Sequence, residues 1–151
     1  MRYEIMSRID ASLATRAVDG PATVMISITD CGDKKNTFYP AEWLTDILEL
    51  QFDDVLEGGR HCITVKQARE IADFVLRVRK KAERLIVHCE FGQSRSAGVA
   101  AAISVFLEGH DHGIFSNRRY YPNHTCYDYV LKALRRNRIF LFRKPGHRLK
   151  A

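Results

Sequence analysis

Two hydrophobic patterns alternate along the chain. Short runs of β-branched and apolar residues, typical of buried strands, cover 23–29, 47–52 and 85–88. After a capping-box sequence at Thr64, apolar residues recur at three- and four-residue steps and predict an amphipathic helix that runs to Ala82. Strands that alternate with helices predict an α/β fold: a small, largely parallel central sheet flanked by helices in three layers.

Two more helices follow. The stretch SAGVAAAISVFL after Arg95 is apolar on every side, which indicates a helix buried all round. Asn123 is placed to cap a final helix that runs through Leu134. No linker, repeat or low-complexity segment divides the chain, so we predict a single domain over residues 1–151, with its core at 20–136.

Composition narrows the class of protein. A chain of 151 residues, 46% of them hydrophobic, can bury one core, which excludes a disordered chain, a collagen-like rod and a disulfide-stapled peptide. No apolar run is long enough to span a membrane, and the charged N-terminal segment lacks the apolar stretch of a secretory signal. The 4 cysteines lie far apart without a CxxC pair, so we expect free thiols and a cytoplasmic protein.

The net charge of +6 is unevenly distributed. Every charged side chain after Asp128 is basic, so the positive charge belongs to the last helix and to a tail over 137–151. A basic helix end usually is a solvated face that complements the helix dipole. Attraction of nucleic acid or another anionic partner to this tail stays open.

The chemistry concentrates in the segment IVHCEFGQSRSAG, residues 86–98. Cys89 ends a buried strand, and Arg95 begins the buried helix after a loop of five residues, namely Glu90, Phe91, Gly92, Gln93 and Ser94. A loop entering a helix N-terminus directs unpaired N–H groups at a common centre, and arginine can hold two phosphate oxygens with its planar fork. Gly92 permits a tight turn and close approach to a ligand. The same donors favour the nucleophilic thiolate form of Cys89.

The run HCEFGQSRS resembles the HCxxGxxRS phosphate-binding loop of the cysteine-dependent protein tyrosine and dual-specificity phosphatases. The length matches the compact dual-specificity class, and the order of elements over 20–136 is similar to that of small bacterial and phage members. The resemblance implies hydrolysis of phosphomonoesters through a phosphocysteine intermediate on Cys89, with residues 90–95 binding the phosphate. It implies no cofactor and no metal, and no spacing of Cys or His suggests a metal site.

The resemblance also implies roles for two neighbours of the loop. His88 would bond to backbone near the cysteine and tune its thiolate, although a satisfied core histidine has the same sequence pattern. Ser96 would donate its hydroxyl to the Cys89 sulfur and help it leave in the second step, although a serine in the first turn of a helix is also ordinary.

Phosphatase chemistry needs an acid for the leaving oxygen, which contributes roughly 10²–10⁴ in rate. In the resembled family this acid is an aspartate on a loop ahead of the cysteine. The phosphatases of regenerating liver carry a Phe-Asp-Asp similar to the one here, which implies Asp54 as the acid and Asp53 as the reserve, unless both only cap the loop. The same resemblance implies Cys31 as a redox partner of Cys89, whereas an ordinary turn cysteine is the alternative.

The expected substrates are phosphorylated proteins, with phosphotyrosine favoured and phosphoserine or phosphothreonine also accepted. The charge of Glu90 should disfavour a densely phosphorylated ligand. A catalytically inactive module that binds phosphorylated partners, and an RNA 5′-phosphatase on the same loop, remain alternatives. Rhodanese-type sulfurtransferases have a shorter loop, and arsenate reductases of the low-molecular-weight phosphatase type carry their cysteine near the N-terminus, so both fit less well.

Overall fold

The computed structural model describes residues 1–142. Its elements, in chain order, are β1 (Arg2–Met6), α1 (Arg8–Ala14), β2 (Thr23–Thr29), β3 (Leu44–Gln51), α2 (Val65–Val78), β4 (Arg84–His88), α3 (Arg95–Glu108) and α4 (His124–Phe142). The predicted α/β class is confirmed. Most of the predicted basic tail, residues 143–151, lies outside the described residues.

All the strands of the sheet run parallel, in the order β1-β4-β2-β3. Side chains of β2 alternate between the two faces, as expected for a strand covered on both sides. Val24, Ile26 and Ile28 join the larger core beneath α2, α3 and α4, whereas Met25 packs with Ala11 of α1 on the opposite face. Because parallel strands end at the same edge, the segments after β2, β3 and β4 meet there.

The first two elements, β1 and α1, lie ahead of residue 20 and were not predicted from the sequence. Strand β1 is a short edge strand with charged Arg2 and Glu4, and helix α1 has only 7 residues. Two of the apolar side chains of α1, Ile9 and Leu13, are 70% and 49% exposed, so the hydrophobic pattern there is weak. The Ser7 hydroxyl nevertheless caps α1, by accepting the Asp10 N–H at 3.1 Å.

The structure contains the helix caps that the sequence predicted. Thr64 and Gln67 form the predicted capping box of α2, and the Asn123 side chain accepts the Cys126 N–H at 3.0 Å at the start of α4. Helices α3 and α4 approach closely at Gly98, where a Cβ would lie 2.4 Å from the Asn123 carbonyl oxygen. Helix α3 is buried over most of its length, yet no helix within residues 1–142 is long and apolar enough to cross a membrane.

Candidate active site

The loop between β4 and α3 carries the cysteine and the arginine of the sequence motif. Cys89 directly follows β4 and is only 3% exposed. Its Sγ lies 3.0 Å from the Ser96 Oγ, in the first turn of α3. The amides at the start of this helix have no partners within the helix, so their N–H groups are available to an anion bound in the loop.

Arg95 is anchored along one edge of its guanidinium and unpartnered along the other. Its Nη1 donates to the Phe52 carbonyl oxygen at 2.7 Å and forms an ion pair with Asp30. Its Nε is buried and has no hydrogen-bond partner among the described residues. Leaving a buried donor unpaired costs about 1–3 kcal/mol, so an anion that accepted this hydrogen bond would be stabilised here.

Asp30 was missed by the sequence analysis. It follows β2 at the sheet edge where β3 and β4 also end, so its position next to Cys31 was the available signal. By pairing with Nη1, its carboxylate helps to fix the orientation of the Arg95 guanidinium.

Gly92 shapes the loop and also lies against a neighbouring stretch of backbone. Its φ of +66° belongs to the left-handed region, which accounts for the predicted tight turn. A Cβ on Gly92 would lie 2.4 Å from the Met6 carbonyl carbon and 2.6 Å from the Ser7 nitrogen. The close approach is therefore to the backbone joining β1 to α1.

The two candidate acids have different environments. Asp53 accepts the Cys31 N–H at 2.8 Å and lies 3.1 Å from the His61 Nδ1, so both of its oxygens are engaged. The hydrogen bond from the Cys31 backbone, with a further contribution from His61, lowers the pKa of Asp53. Asp54 accepts through Oδ1 alone, from the Ser94 hydroxyl at 2.8 Å and from the Asn123 amide at 2.9 Å.

Asn123 is thus a second residue whose contribution to the site was missed. The sequence predicted it only as a helix cap, and its Oδ1 does cap α4. Its Nδ2 meanwhile donates to Asp54 and, at 3.1 Å, to the Val55 carbonyl oxygen. One amide side chain therefore links the start of α4 to the loop that carries the aspartates.

His88 lies in the interior beneath the loop. Its side chain is fully buried, with Nε2 at 2.7 Å from the Ser27 Oγ and Nδ1 at 3.4 Å from the Cys89 carbonyl oxygen. Burial lowers the pKa of His88 to about 4, with the charges of Arg8 and Arg95 acting in the same direction. His88 is therefore neutral near pH 7, and it contacts both the backbone of Cys89 and the core.

This burial predicts a loss of stability in acid. As pH falls from 6.5 to about 4, unfolded His88 takes up a proton that the folded form excludes. The resulting decrease in the free energy of unfolding should reach roughly 3 kcal/mol at about pH 4, and it should vanish about one pH unit above 6.5. Urea unfolding of wild type and His88→Gln across this range measures it as the change in their difference. A difference that stayed constant with pH would contradict the prediction.

Arg8 adds a positive charge beside the loop that was also missed. Its backbone N–H donates to the Glu90 carbonyl oxygen at 3.1 Å, and its Nη1 lies 3.5 Å from the Glu90 Oε2 and 3.7 Å from the Asp33 Oδ2. Glu90 is therefore not an isolated negative charge, which weakens the argument that it repels a densely phosphorylated ligand. The signal was unavailable because helix α1 was not predicted.

The loop borders a cleft of about 490 Å³. The cleft is lined by Asp30, Cys31, Asp33, Asp53, Asp54, Val55, Glu90, Phe91 and Arg95. Phe91 is 77% exposed on the rim, and Gln93 is exposed as well, with its carbonyl accepting the Tyr121 N–H at 2.9 Å. The cleft thus places Arg95 in a wall that is otherwise rich in carboxylates.

Cys31 lines this cleft as a free thiol. Its Sγ lies 3.7 Å from the Gln51 carbonyl oxygen. Burial raises the pKa of the Cys31 thiol, and the negative charges of Asp53 and Asp30 raise it further. The thiol is therefore mainly protonated near neutral pH.

No family model matches the chain, and no curated protein does. Solved structures do match. DUSP15 shares 17% identity with it at a TM-score of 0.60, over 96% of this chain and 94% of that one. The chain has the dual-specificity phosphatase fold. Human DUSP28 has a similar likeness, at 15% identity and a TM-score of 0.59, over 91% of this chain and 94% of its own.

The dual-specificity phosphatase fold is also found in a human tyrosine phosphatase-like serine/threonine/tyrosine-interacting protein. That protein is 18% identical, with a TM-score of 0.53 over 91% of this chain and 87% of its own. Identities this low establish the architecture only. The chemistry of the dual-specificity phosphatase fold in this chain has to be argued from its own side chains.

Proposed function

We propose that this protein is a cysteine-dependent phosphomonoester hydrolase of the protein tyrosine or dual-specificity type. The observation that carries the proposal is the free edge of the Arg95 guanidinium at the end of the loop that begins with Cys89, where the buried Nε has no hydrogen-bond partner within residues 1–142. A phosphate would satisfy this donor and would lie within the same loop as the thiol. Residues 90–95 are the proposed phosphate-binding loop.

The proposed reaction has two steps. The Cys89 thiolate attacks phosphorus, forming an S–P bond as the P–O bond to the leaving group breaks, and Asp54 gives its proton to the leaving oxygen. Ionised Asp54 then takes a proton from water, which attacks the phosphocysteine and displaces the sulfur. The Ser96 hydroxyl, 3.0 Å from Sγ, stabilises the departing thiolate. Neutral His88 positions the backbone at Cys89.

Asp54 is the better placed of the two acids. Among residues 1–142 only its Oδ1 accepts hydrogen bonds, and one of the donors is Ser94 in the phosphate loop itself, which leaves Oδ2 available to a leaving group. Asp53 holds the backbone of Cys31 and contacts His61 with its two oxygens. We therefore assign Asp53 the role of holding together the segment after β2 and the loop before α2.

Exchanging each aspartate for asparagine separates these roles. Asp54→Asn should lower kcat by roughly 10²–10⁴ with poor leaving groups, and much less with activated aryl phosphates, because only the former need a proton. It should also flatten the fall in activity on the alkaline side of the pH profile, because a general acid is active only while it carries its proton. Asp53→Asn is the matched variant, since it removes the same charge one residue away. If only Asp53→Asn shows this pattern, the two assignments are exchanged.

Phosphotyrosine is the proposed preferred substrate. The Cys89 thiol is 3% exposed at the base of the loop, and an aryl phosphate extends further from its backbone than a seryl phosphate. The exposed Phe91 ring on the rim offers a surface for stacking against the aryl group.

The free thiols of the 4 cysteines support a reducing, cytoplasmic setting for this activity.

The test compares purified protein on p-nitrophenyl phosphate, matched phosphotyrosine and phosphoserine peptides, and 5′-triphosphorylated RNA. We expect turnover of p-nitrophenyl phosphate and of the phosphopeptides, with the phosphotyrosine peptide preferred. Acid quench during turnover should trap a phosphocysteine. Tight binding of phosphopeptides without turnover would instead assign an inactive binding module. Preferential release of phosphate from the RNA would assign an RNA 5′-phosphatase.

Reversible oxidation is proposed as a regulatory property of the same site. Peroxide converts the Cys89 thiolate to a sulfenic acid, and the Cys31 thiol then displaces water to form a disulfide that dithiothreitol reduces. After mild peroxide and then dithiothreitol, wild type should regain more activity than Cys31→Ser, whose Cys89 proceeds to the irreversible sulfinic acid. Equal recovery in the two proteins would show that Cys31 protects nothing.

A further inference from the structure

The strongest cluster of metal-ligating side chains outside the phosphate loop lies on the wall of the cleft. We propose that Cys31, Asp53 and His61 form a binding site for a zinc-like divalent cation. One ligand atom from each residue lies within 4.8 Å of the ligand atoms of the other two. The proposal rests on this geometry and stands independently of the proposed phosphatase activity.

The fold brings the three residues together from separate segments. Cys31 follows β2, Asp53 follows β3, and His61 lies in the loop before α2. Backbone hydrogen bonds tie the segments together, since the Asp53 N–H donates to the His61 carbonyl oxygen at 2.8 Å and the Cys31 N–H donates to the Asp53 carboxylate at 2.8 Å. The separations of 22 and 8 residues match no metal motif, which explains why the sequence gave no sign of the site.

The donor set indicates which ion would bind. A thiolate sulfur, an imidazole nitrogen and a carboxylate oxygen are the ligands of zinc, whereas magnesium and calcium select oxygen alone. Zinc bonds of about 2.0–2.3 Å hold the ligand atoms of a tetrahedral site close together, and the Asp53 Oδ2 and His61 Nδ1 already lie 3.1 Å apart. Three protein ligands would leave a fourth position for water.

Access and charge also favour a cation. The His61 side chain is 44% exposed, and Cys31 and Asp53 line the open cleft, so an ion can enter from solvent. Asp30 and Asp33 line the same cleft and make the potential there more negative. The positive charge of Arg95 opposes theirs, but one edge of its guanidinium is already paired with Asp30.

A second cluster of potential ligands provides an internal comparison. Glu108, His110 and His112 also lie within ligand distance of one another, but all three are exposed. Like Asp53, Glu108 already has hydrogen-bonding partners, since it accepts from Tyr3 at 2.9 Å and pairs with the His112 Nε2 at 2.6 Å. This cluster has no sulfur, so it cannot produce the thiolate signal used below.

Cobalt(II) is the probe, because a bound thiolate gives it an intense charge-transfer absorption. The titration uses Cys89→Ser protein, since the Cys89 thiolate could itself bind the metal. We expect the band to saturate at one metal per chain, to disappear in Cys89→Ser/Cys31→Ser, and to persist in Cys89→Ser/Cys62→Ser. The last variant is the matched control, because Cys62 is likewise a partly exposed free thiol.

Zinc affinity, measured by competition with a chromophoric chelator in the same Cys89→Ser background, tests the other two ligands. His61→Asn and Asp53→Asn should each weaken binding at least about tenfold. Asparagine is chosen at position 61 because His61 has a φ of +58°, which asparagine tolerates. Replacing His110 by alanine and His112 by asparagine, which tolerates the φ of +53° at position 112, should leave the affinity unchanged.

Three results would overturn the proposal. They are absence of the cobalt band in folded Cys89→Ser protein, persistence of the band after Cys31→Ser, and unchanged zinc affinity in His61→Asn. Thermal melting establishes that each variant is folded. If Cys31→Ser fails to fold, the His61→Asn affinity alone decides.

Discussion

Replacing Cys89 with serine is expected to lower turnover of p-nitrophenyl phosphate by several orders of magnitude while binding of phosphate or vanadate persists. A serine hydroxyl ionises far less readily than a thiol, so the loop can hold the anion but has no nucleophile to attack it. The exchange is nearly isosteric, and the oxygen can still hydrogen-bond to Ser96, so the protein should stay folded. Steady-state kinetics and equilibrium binding of vanadate measure the two halves of this prediction.

Cys62→Ser is the control for the loss of a cysteine as such, because Cys62 lies outside the phosphate loop. It should retain wild-type kinetics. Retained activity in Cys89→Ser would remove the nucleophile from the proposed mechanism, and the dual-specificity phosphatase fold would then carry some other function.

Arg95→Lys is expected to be nearly inactive, with a loss of at least about 10²–10³ in kcat/KM. An ammonium group is a point charge, so it cannot present two parallel donors to the phosphate while also holding the Phe52 carbonyl and Asp30. The affinity for vanadate should fall together with kcat/KM, which distinguishes this variant from Cys89→Ser.

A matched substitution is available on the surface. Arg77 pairs with Asp46 on the exposed side of α2, and Arg77→Lys should change neither kinetics nor vanadate affinity. Near-normal kinetics in Arg95→Lys would mean that the unpartnered Nε does not bind substrate, and the observation that carries the proposed function would be lost.

The parts of the fold that the sequence predicted are those with a strong local signal. Strand β2 is a run of β-branched and apolar residues that is buried throughout, and helix α3 is buried over most of its length, so each has a local signal strong enough to be recognised in the sequence. Strand β1 and helix α1 have no such signal, because β1 alternates with charged residues at the edge of the sheet and α1 leaves Ile9 and Leu13 exposed. Their structure is decided by pairing with β4 and by contact with the loop after it.

The same limit applies to the site. Cys89, Arg95 and Ser96 lie within one short segment, so their spacing alone predicted that they would lie together. Asp30, Arg8 and the Asn123 amide come from distant parts of the chain and act through tertiary contacts. The Asn123 side chain caps α4 with its oxygen and donates to Asp54 with its nitrogen. No local sequence pattern predicts this pair of contacts.

Because Gly92 lies against the backbone of Met6 and Ser7, a mutation at position 92 affects both segments. Any side chain at position 92 would collide with the backbone between β1 and α1, so it could be accepted only if that backbone withdrew. Withdrawal would also break the hydrogen bond from Arg8 to the loop. A substitution at position 92 can therefore be accommodated only together with a rearrangement of residues 6–8.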